Sequence, residues 1–159
     1  MSVAVQAADF DIGAEIAVVR AGRADIGGIA VFVGTVRDAA GGRPITAMTL
    51  EHFSGMTEDE LSRIEAEAHY RWPLAGSRIV HRIGRLLPGE NIVLVVAASA
   101  HRQAAFEAAE FLMDYLKTDA PFWKKEEWAD GSSHWVEAKG TDDEAKGRWG
   151  QRRGPALRV

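Results

Sequence analysis

Two lysines, seven residues apart, are the side chains of this sequence best suited to proton transfer or covalent chemistry. Lys117 lies at the end of a predicted helix, and Lys124 follows a bend at Pro121. If the bend brings the two ammonium groups together, each lowers the pKa of the other, and a neutral lysine can accept a proton or attack an electrophile. Glu126 is close enough in sequence to orient one of them. The alternative is a solvated charge cluster in which Lys117 only stabilises a helix C-terminus.

The amino-acid composition also favours a chemical role for this lysine cluster. The 159 residues include 14 Arg but only 5 Lys, and three of the five lysines lie between positions 117 and 125. A tight group of lysines in a chain that otherwise uses arginine suggests a need for a compact, titratable ammonium group. Cysteine is absent, which excludes a thiolate nucleophile, a thiolate metal site and a persulfide carried on this chain.

Other cationic residues lie where predicted strands end or helices begin. Arg37 follows a β-branched run and precedes a Gly-rich segment, a position suited to a substrate clamp. His101 and Arg102 lie at a strand-to-helix junction, where free first-turn amides favour an anion. Together with the lysines, they predict a cationic pocket for a phosphate-bearing small molecule. The alternatives are that Ser99 merely caps the helix and that both arginines are plain surface charges.

Several other chemistries are not predicted. The histidines show no paired metal-ligand spacing, and the sequence contains no HExxH, P-loop, GxGxxG or Gly-x-Ser-x-Gly motif. We therefore expect no metal and no cofactor. The net charge of −4 argues against a nucleic-acid partner that is held by overall basicity. His81 falls within an apolar strand pattern, and we interpret it as structural.

The sequence also argues against a membrane protein. The longest apolar runs, such as Ile92–Ala98, are far shorter than the roughly 20 residues that cross a bilayer. The N-terminal residues lack the basic and long apolar regions of a secretion signal. We expect a cytoplasmic protein.

Three helices are predicted. Asp11 caps the first, Thr57 and Glu60 form a capping box for the second, and the third covers Arg102–Lys117. The second must end near Trp72, because a proline follows. The side chains expected on the buried faces are Ile12, Ile16 and Val19 in the first helix, Leu61, Ile64 and Ala68 in the second, and Phe106, Ala109, Met113 and Leu116 in the third.

The predicted strands are interspersed with these helices. They cover Gly27–Val36, Ile45–His52, Arg78–Gly84, Asn91–Ala98, Phe122–Trp128 and His134–Ala138. Without regular βαβ alternation, this order predicts an α+β fold rather than a doubly wound sheet. The Gly-rich segment Asp38–Pro44 is expected to be mobile. We expect one domain over residues 1–149 and a flexible C-terminal tail over 150–159.

Five long segments carry a family resemblance. They are VFVGTVRD (31–38), LEHFSGMTEDEL (50–61), HRIGRLLPGE (81–90), SAHRQAAFEAAEFLMDYLKTDAPFWKKE (99–126) and HWVEA (134–138). These motifs are ordered and specific, and they resemble the large, catalytic subunit of molybdopterin synthase, the MoaE family. The resemblance covers nearly the whole chain from about Asp11 to Trp149.

The resemblance implies a sulfurtransferase of molybdenum-cofactor biosynthesis. Members of the family convert cyclic pyranopterin monophosphate (precursor Z) into molybdopterin by inserting the two dithiolene sulfurs. The sulfur arrives as a thiocarboxylate on the C-terminal Gly-Gly of a small ubiquitin-like subunit, the MoaD family. The resemblance further implies an α/β-hammerhead-like fold with an additional antiparallel sheet, and a homodimer of large subunits within a heterotetramer.

The motifs also imply site residues. Lys117 and Lys124 match the catalytic lysines of the family. The residues expected to contact the substrate are Thr35, Val36, Arg37, His101, Arg102, Lys117, Lys124, Lys125 and Glu126. Phe32 and Met113 match apolar positions around the site, where a core role is equally compatible. We assign Lys117 the principal acid/base or nucleophilic role and Lys124 the positioning of thiocarboxylate and substrate.

Two other functions stay open at this point. One is a non-catalytic subunit or paralogue that binds the small carrier, although a pure scaffold has no need of both Lys117 and Lys124. The other is a phosphate-ester or nucleotide-binding module that uses the same cationic residues. That module would bind simple nucleotides tightly and would require no ubiquitin-like partner.

Overall fold

Nine strands and four helices make up the described part of the computed structural model, which covers residues 2–136, 140–147, 149 and 150. In chain order they are β1 (Val3–Gln6), α1 (Ile12–Arg20), β2 (Gly28–Thr35), β3 (Ala39–Ala40), β4 (Arg43–His52), α2 (Met56–Arg71), β5 (Leu74–Arg82), β6 (Gly84–Leu86), β7 (Asn91–Ser99), α3 (Arg102–Thr118), β8 (Phe122–Trp128), β9 (Ser133–Val136) and α4 (Gly140–Gly147). This mixture confirms the predicted α+β class.

The first sheet has helices on both faces. Its strand order is β1-β5-β7-β2, in which β7 pairs antiparallel with both neighbours and β1 lies parallel to β5. One face, with Val80, Leu94 and Val96, packs against α1. The other face, with Ile79 and Val95, packs against α2 and α3. Because β7 is covered on both sides, it is a continuous apolar run rather than an alternating one.

The beginning of α2 differs from the prediction. Asp11 caps α1 as expected, accepting from the Ala14 N–H at 2.9 Å. In α2, however, the N-cap is Gly55, whose φ of 85° turns the chain into the helix, and the Glu58 carboxylate accepts from its N–H at 2.7 Å. Thr57 is already inside the first turn, where its hydroxyl donates to the Phe53 carbonyl at 2.9 Å. The predicted Thr57–Glu60 capping box is therefore wrong, because a glycine turns the chain two residues earlier.

The buried face of α3 also differs from the prediction. Phe106 is 67% exposed, so the expected stripe is wrong at this residue. The buried residues are Ala104, Ala105, Ala108, Ala109, Phe111, Leu112 and Leu116. The small alanines let the helix lie close to the sheet, and the start of β2 is correspondingly tight. A Cβ on Gly27 would lie 2.0 Å from the Ala100 carbonyl oxygen.

A second, antiparallel sheet has the order β3-β4-β8-β9, and β6 also pairs with β4. The Gly-rich segment expected to be mobile forms the short β3–β4 hairpin, whose turn residues Gly41 and Gly42 have φ of 56° and 78°. Val36, Leu50 and Leu86 form a small core beneath this sheet. The additional antiparallel sheet implied by the family resemblance is therefore present.

The C-terminal part of the described chain packs against α3. The Trp149 ring lies 5.5 Å, centroid to centroid, from both Trp72 and Phe111, and its indole N–H donates to Asp114 at 2.6 Å. Helix α4 was not predicted. Residues 137 and 138, the end of the last predicted strand, and residues 151–159, nearly all of the predicted tail, lie outside the described residues. No helix in the described ranges combines the length and the apolar character that crossing a bilayer requires.

We predict that Gly27→Ala lowers the free energy of unfolding by about 1–3 kcal/mol, because the new methyl group collides with backbone rather than with a side chain that can move. Urea denaturation measures the change. The matched control is Gly147→Ala, where a Cβ meets no atom within 4 Å and stability should hold or rise slightly. Equal stability of the two variants would show that the β2–α3 junction is not tightly packed.

Candidate active site

A cavity of about 110 Å³ opens where the end of the first sheet, the last turn of α3 and the beginning of β8 meet. We call it the lysine cavity. Its lining residues are Phe32, Gly34, Thr35, His81, Ile92, Val93, Met113, Leu116, Lys117, Ala120, Phe122 and Lys124. Most of these side chains are apolar, and two are primary amines.

The chain reversal after α3 brings the two lysines together. Helix α3 ends at Thr118, and Pro121 lacks the N–H that would continue it. Strand β8 then runs antiparallel to β4, with Lys124 opposite Leu50. Lys117 and Lys124 therefore line the same cavity. This is the reversal that the proline predicted from the sequence.

The neighbours of Lys124 do not line the cavity. Side chains alternate along a strand, so Lys125 points to the other face of β8, where its ammonium lies 5.6 Å from the centroid of the Trp135 ring. Glu126 returns to the Lys124 face but is buried further along the strand, outside the cavity lining. The roles of Lys125 and Glu126 as substrate contacts stay predictions.

The end of β2 contributes only part of its predicted set. Thr35 lines the cavity, and so do the apolar candidates Phe32 and Met113. Val36 instead belongs to the small core beneath the second sheet. Arg37 follows as an exposed side chain, two residues beyond the cavity wall.

His101 and Arg102 lie at the opposite end of α3 from Lys117. His101 is the exposed N-cap and Arg102 the first helical residue. Fifteen helical steps of 1.5 Å place them roughly 22 Å from Lys117 along the helix. Ser99 does not cap the helix, because it ends β7 and its hydroxyl donates to the Pro73 carbonyl at 2.9 Å. Within one chain, the predicted cationic pocket thus contains the two lysines but not Arg37, His101 or Arg102.

His81 belongs to the cavity, although the sequence pattern indicated only a structural role. Its ring stacks on Phe122, with centroids 3.7 Å apart and planes 16° apart, and its Nδ1 lies 2.8 Å from the Arg82 carbonyl oxygen. Burial, the strongest influence, and the charges of Lys124, Lys117 and His52 lower its pKa to about 4, against the opposing effect of the carbonyl contact. The signal in the sequence was its period-2 spacing from Ile79, which places it on the α3 side of the sheet.

The lysine cavity therefore offers two amines, one hydroxyl and one neutral imidazole inside mostly apolar walls. Sites that enclose a whole drug-sized ligand usually measure about 300–1,000 Å³, so this smaller cavity of about 110 Å³ encloses only part of such a molecule. Among the described residues, no three His, Asp or Glu side chains are grouped so that they could hold a metal ion.

The low pKa of His81 predicts a pH-dependent stability. An unfolded histidine takes up a proton near pH 6.5 but folded His81 only near pH 4, so the unfolded state binds more protons between these values. The free energy of unfolding should fall by up to about 3 kcal/mol as the pH drops through this window, and the loss should be complete near pH 4. Urea denaturation at pH 7, 5.5 and 4.5 measures it. His81→Phe retains a stacked ring and should remove this part of the pH dependence. Identical pH profiles for the two proteins would contradict the assignment.

Comparison with known proteins identifies the family of the chain. A family model described as MoaE protein matches residues 5–119. A molybdopterin synthase catalytic subunit from Mesorhizobium japonicum is 60% identical over 149 residues, 93% of this chain and 92% of that protein. The structure of the molybdopterin biosynthesis MoaE protein from Burkholderia ambifaria matches with a TM-score of 0.80 and 52% identity, over 94% of this chain and 98% of that one. The molybdopterin synthase structure from Staphylococcus aureus matches with a TM-score of 0.77 and 30% identity, over 84% and 95%. The chain therefore belongs to the MoaE family.

Proposed function

We propose that this chain is the catalytic subunit of a molybdopterin synthase. It takes sulfur from the C-terminal thiocarboxylate of a small ubiquitin-like subunit and inserts it into cyclic pyranopterin monophosphate to form the dithiolene of molybdopterin. The observation that carries the proposal is the shared position of Lys117 and Lys124 in the lining of one cavity. Membership of the MoaE family, whose relatives include proteins named molybdopterin synthase catalytic subunit, supports it.

The source of sulfur follows from the composition. The chain has no cysteine, so it cannot carry a persulfide, and the sulfur must enter on another molecule. A tail that ends in two glycines has no side chains at its tip and suits a cavity of about 110 Å³. For each sulfur delivered, a carbon–sulfur bond forms on the substrate in place of a carbon–oxygen bond, and the displaced oxygen leaves with a proton. Water then attacks the acyl carbon of the tail, the bond between that carbon and sulfur breaks, and the tail leaves as a carboxylate.

The two lysines have separate tasks in this scheme. Lys117, in the last turn of α3, has the principal acid/base or nucleophilic role, because opening the substrate ring and adding sulfur both require proton transfers. Lys124 holds the thiocarboxylate and the substrate through its positive charge. Most of the cavity wall is apolar, and an ammonium attracts an anion more strongly beside such a wall than in bulk water.

We further propose that His101 and Arg102 bind the substrate phosphate from a second copy of the chain. Both are exposed at the far end of α3, too far from the lysines of the same chain to hold one small molecule. Phe53, Trp123 and Trp135 expose about half of their surface on the second sheet, and exposed apolar clusters of this kind mark contacts with other proteins. These features support the homodimer and the carrier subunit expected from the family. The cytoplasmic location stays a prediction from the sequence.

We predict that Lys117→Ala lowers the rate of sulfur transfer by about 10²–10⁴-fold, the range expected for loss of an acid/base group. Lys124→Ala should weaken binding of the thiocarboxylated subunit as well as turnover. The assay follows dithiolene formation with thiocarboxylated small subunit and cyclic pyranopterin monophosphate.

Arg20→Ala is the matched control, since it removes an exposed cation on the side of the sheet away from α3. Near-normal turnover in both lysine variants would overturn the proposal. Tight binding of simple nucleotides without any carrier would favour the nucleotide-binding alternative.

We also predict that mixing two inactive proteins restores activity. One is Lys117→Ala, and the other carries His101→Ala with Arg102→Ala. If the cationic pair acts from the second copy, random exchange of chains leaves roughly a quarter of all sites with both groups intact. Co-expression followed by the sulfur-transfer assay should therefore recover about a quarter of the normal rate. No recovery from a mixture shown to contain hybrid dimers would place the pair and the lysine in the same chain.

A further inference from the structure

Three of the polar side chains that line the lysine cavity differ in what they can offer a ligand. Lys117 and Lys124 carry ammonium groups, which donate hydrogen bonds and cannot accept them. A pterin has ring and exocyclic N–H groups that need acceptors, and neither lysine satisfies these. Two lining side chains can accept hydrogen bonds, the hydroxyl of exposed Thr35 and the imidazole of buried His81.

The tautomer of His81 follows from its neighbour. Nδ1 lies 2.8 Å from the Arg82 carbonyl oxygen, and a carbonyl only accepts hydrogen bonds, so Nδ1 carries the proton. The other ring nitrogen, Nε2, then has a free lone pair and is an acceptor. The carbonyl itself belongs to a fixed segment, because the Arg82 guanidinium donates to the carbonyls of Ala7 and Asn91 at 3.0–3.1 Å.

The surroundings of His81 fix its ring and keep it neutral. Phe122 of β8 stacks on one face of the ring, and the strand neighbours in register, Val5 of β1 and Val93 of β7, are apolar. The charged or titratable groups that act on it are Lys124 of β8, Lys117 of α3 and His52 of β4. All three disfavour a positive charge on the His81 imidazole. His81 therefore keeps its acceptor across the range from pH 6 to 8.

We infer that His81 is a specificity-determining residue of the lysine cavity, where its Nε2 accepts a hydrogen bond from an N–H group of the pterin. The inference rests on the proposed function and adds a division of labour to it. The lysines attract the anionic parts of the reactants, and His81 recognises the nitrogen heterocycle and fixes its orientation. It transfers no proton itself.

Two substitutions distinguish the contributions of the two ring nitrogens of His81. In His81→Asn the shorter amide occupies the position of Nδ1, which keeps the Arg82 contact but removes the acceptor. In His81→Gln the longer amide reaches the position of Nε2 and restores an acceptor. We expect His81→Asn to raise the KM for cyclic pyranopterin monophosphate about 10-fold with little change in kcat, as for the loss of one binding hydrogen bond. We expect His81→Gln to lie within about 3-fold of the unmodified protein.

Further measurements make the test decisive. The rise in KM should be the same at pH 6, 7 and 8, and inhibition by inorganic phosphate should not change. His81→Phe refills the space without an acceptor and should reproduce the higher KM if His81→Asn does not fold. An unmodified protein that transfers no sulfur would overturn the proposed function together with this inference. Normal KM in His81→Asn or His81→Phe, or a loss confined to kcat that His81→Gln fails to rescue, would overturn the inference alone.

Discussion

The pairing of β8 with β4 is the constraint on which the site depends. Pro121 ends any continuation of α3, but the antiparallel register, with Lys124 opposite Leu50, decides which side chains return to the helix end. A shift of one residue would turn Lys124 away from the cavity and bring Lys125 toward it, because side chains alternate along a strand. Leu50 is itself held in the small core with Val36 and Leu86. The chemistry at the end of one sheet is thus fixed by the packing of the other.

Desolvation is the second determinant of the site. Burial moves the pKa of His81 down to about 4, so the lysine cavity keeps an uncharged imidazole beside two amines. A protonated imidazole there would add a third positive charge and offer no acceptor to a ligand. The stack on Phe122 joins this ring to the strand that carries Lys124. One packing contact therefore links the fold of the second sheet, the protonation of His81 and the position of a proposed catalytic group.

Much of this arrangement could be predicted from the sequence. Periodicity and proline positions gave all the helices up to Lys117 and six of the strands, and Pro121 predicted the lysine pair. The errors arose where a second residue could fulfil the same structural role. Gly55 turns the chain before Thr57 can cap α2. The buried face of α3 contains four alanines in place of Phe106. The sequence indicates only a structural role for His81, because an apolar strand pattern cannot show that the end of the strand opens into a cavity. The distance between His101 and Lys117 within one chain follows from the length of α3. Whether a second chain brings its own His101 to the lysines cannot be predicted from one sequence.

The most direct test of the central claim is a crystal structure of this chain bound to the small ubiquitin-like subunit that we propose as its sulfur donor. We predict that the C-terminal glycine enters the lysine cavity, with its carboxyl oxygens about 2.7–3.2 Å from the Nζ atoms of Lys117 and Lys124. A tail that ends elsewhere, for example against Phe53 and Trp123 on the second sheet, would contradict the account.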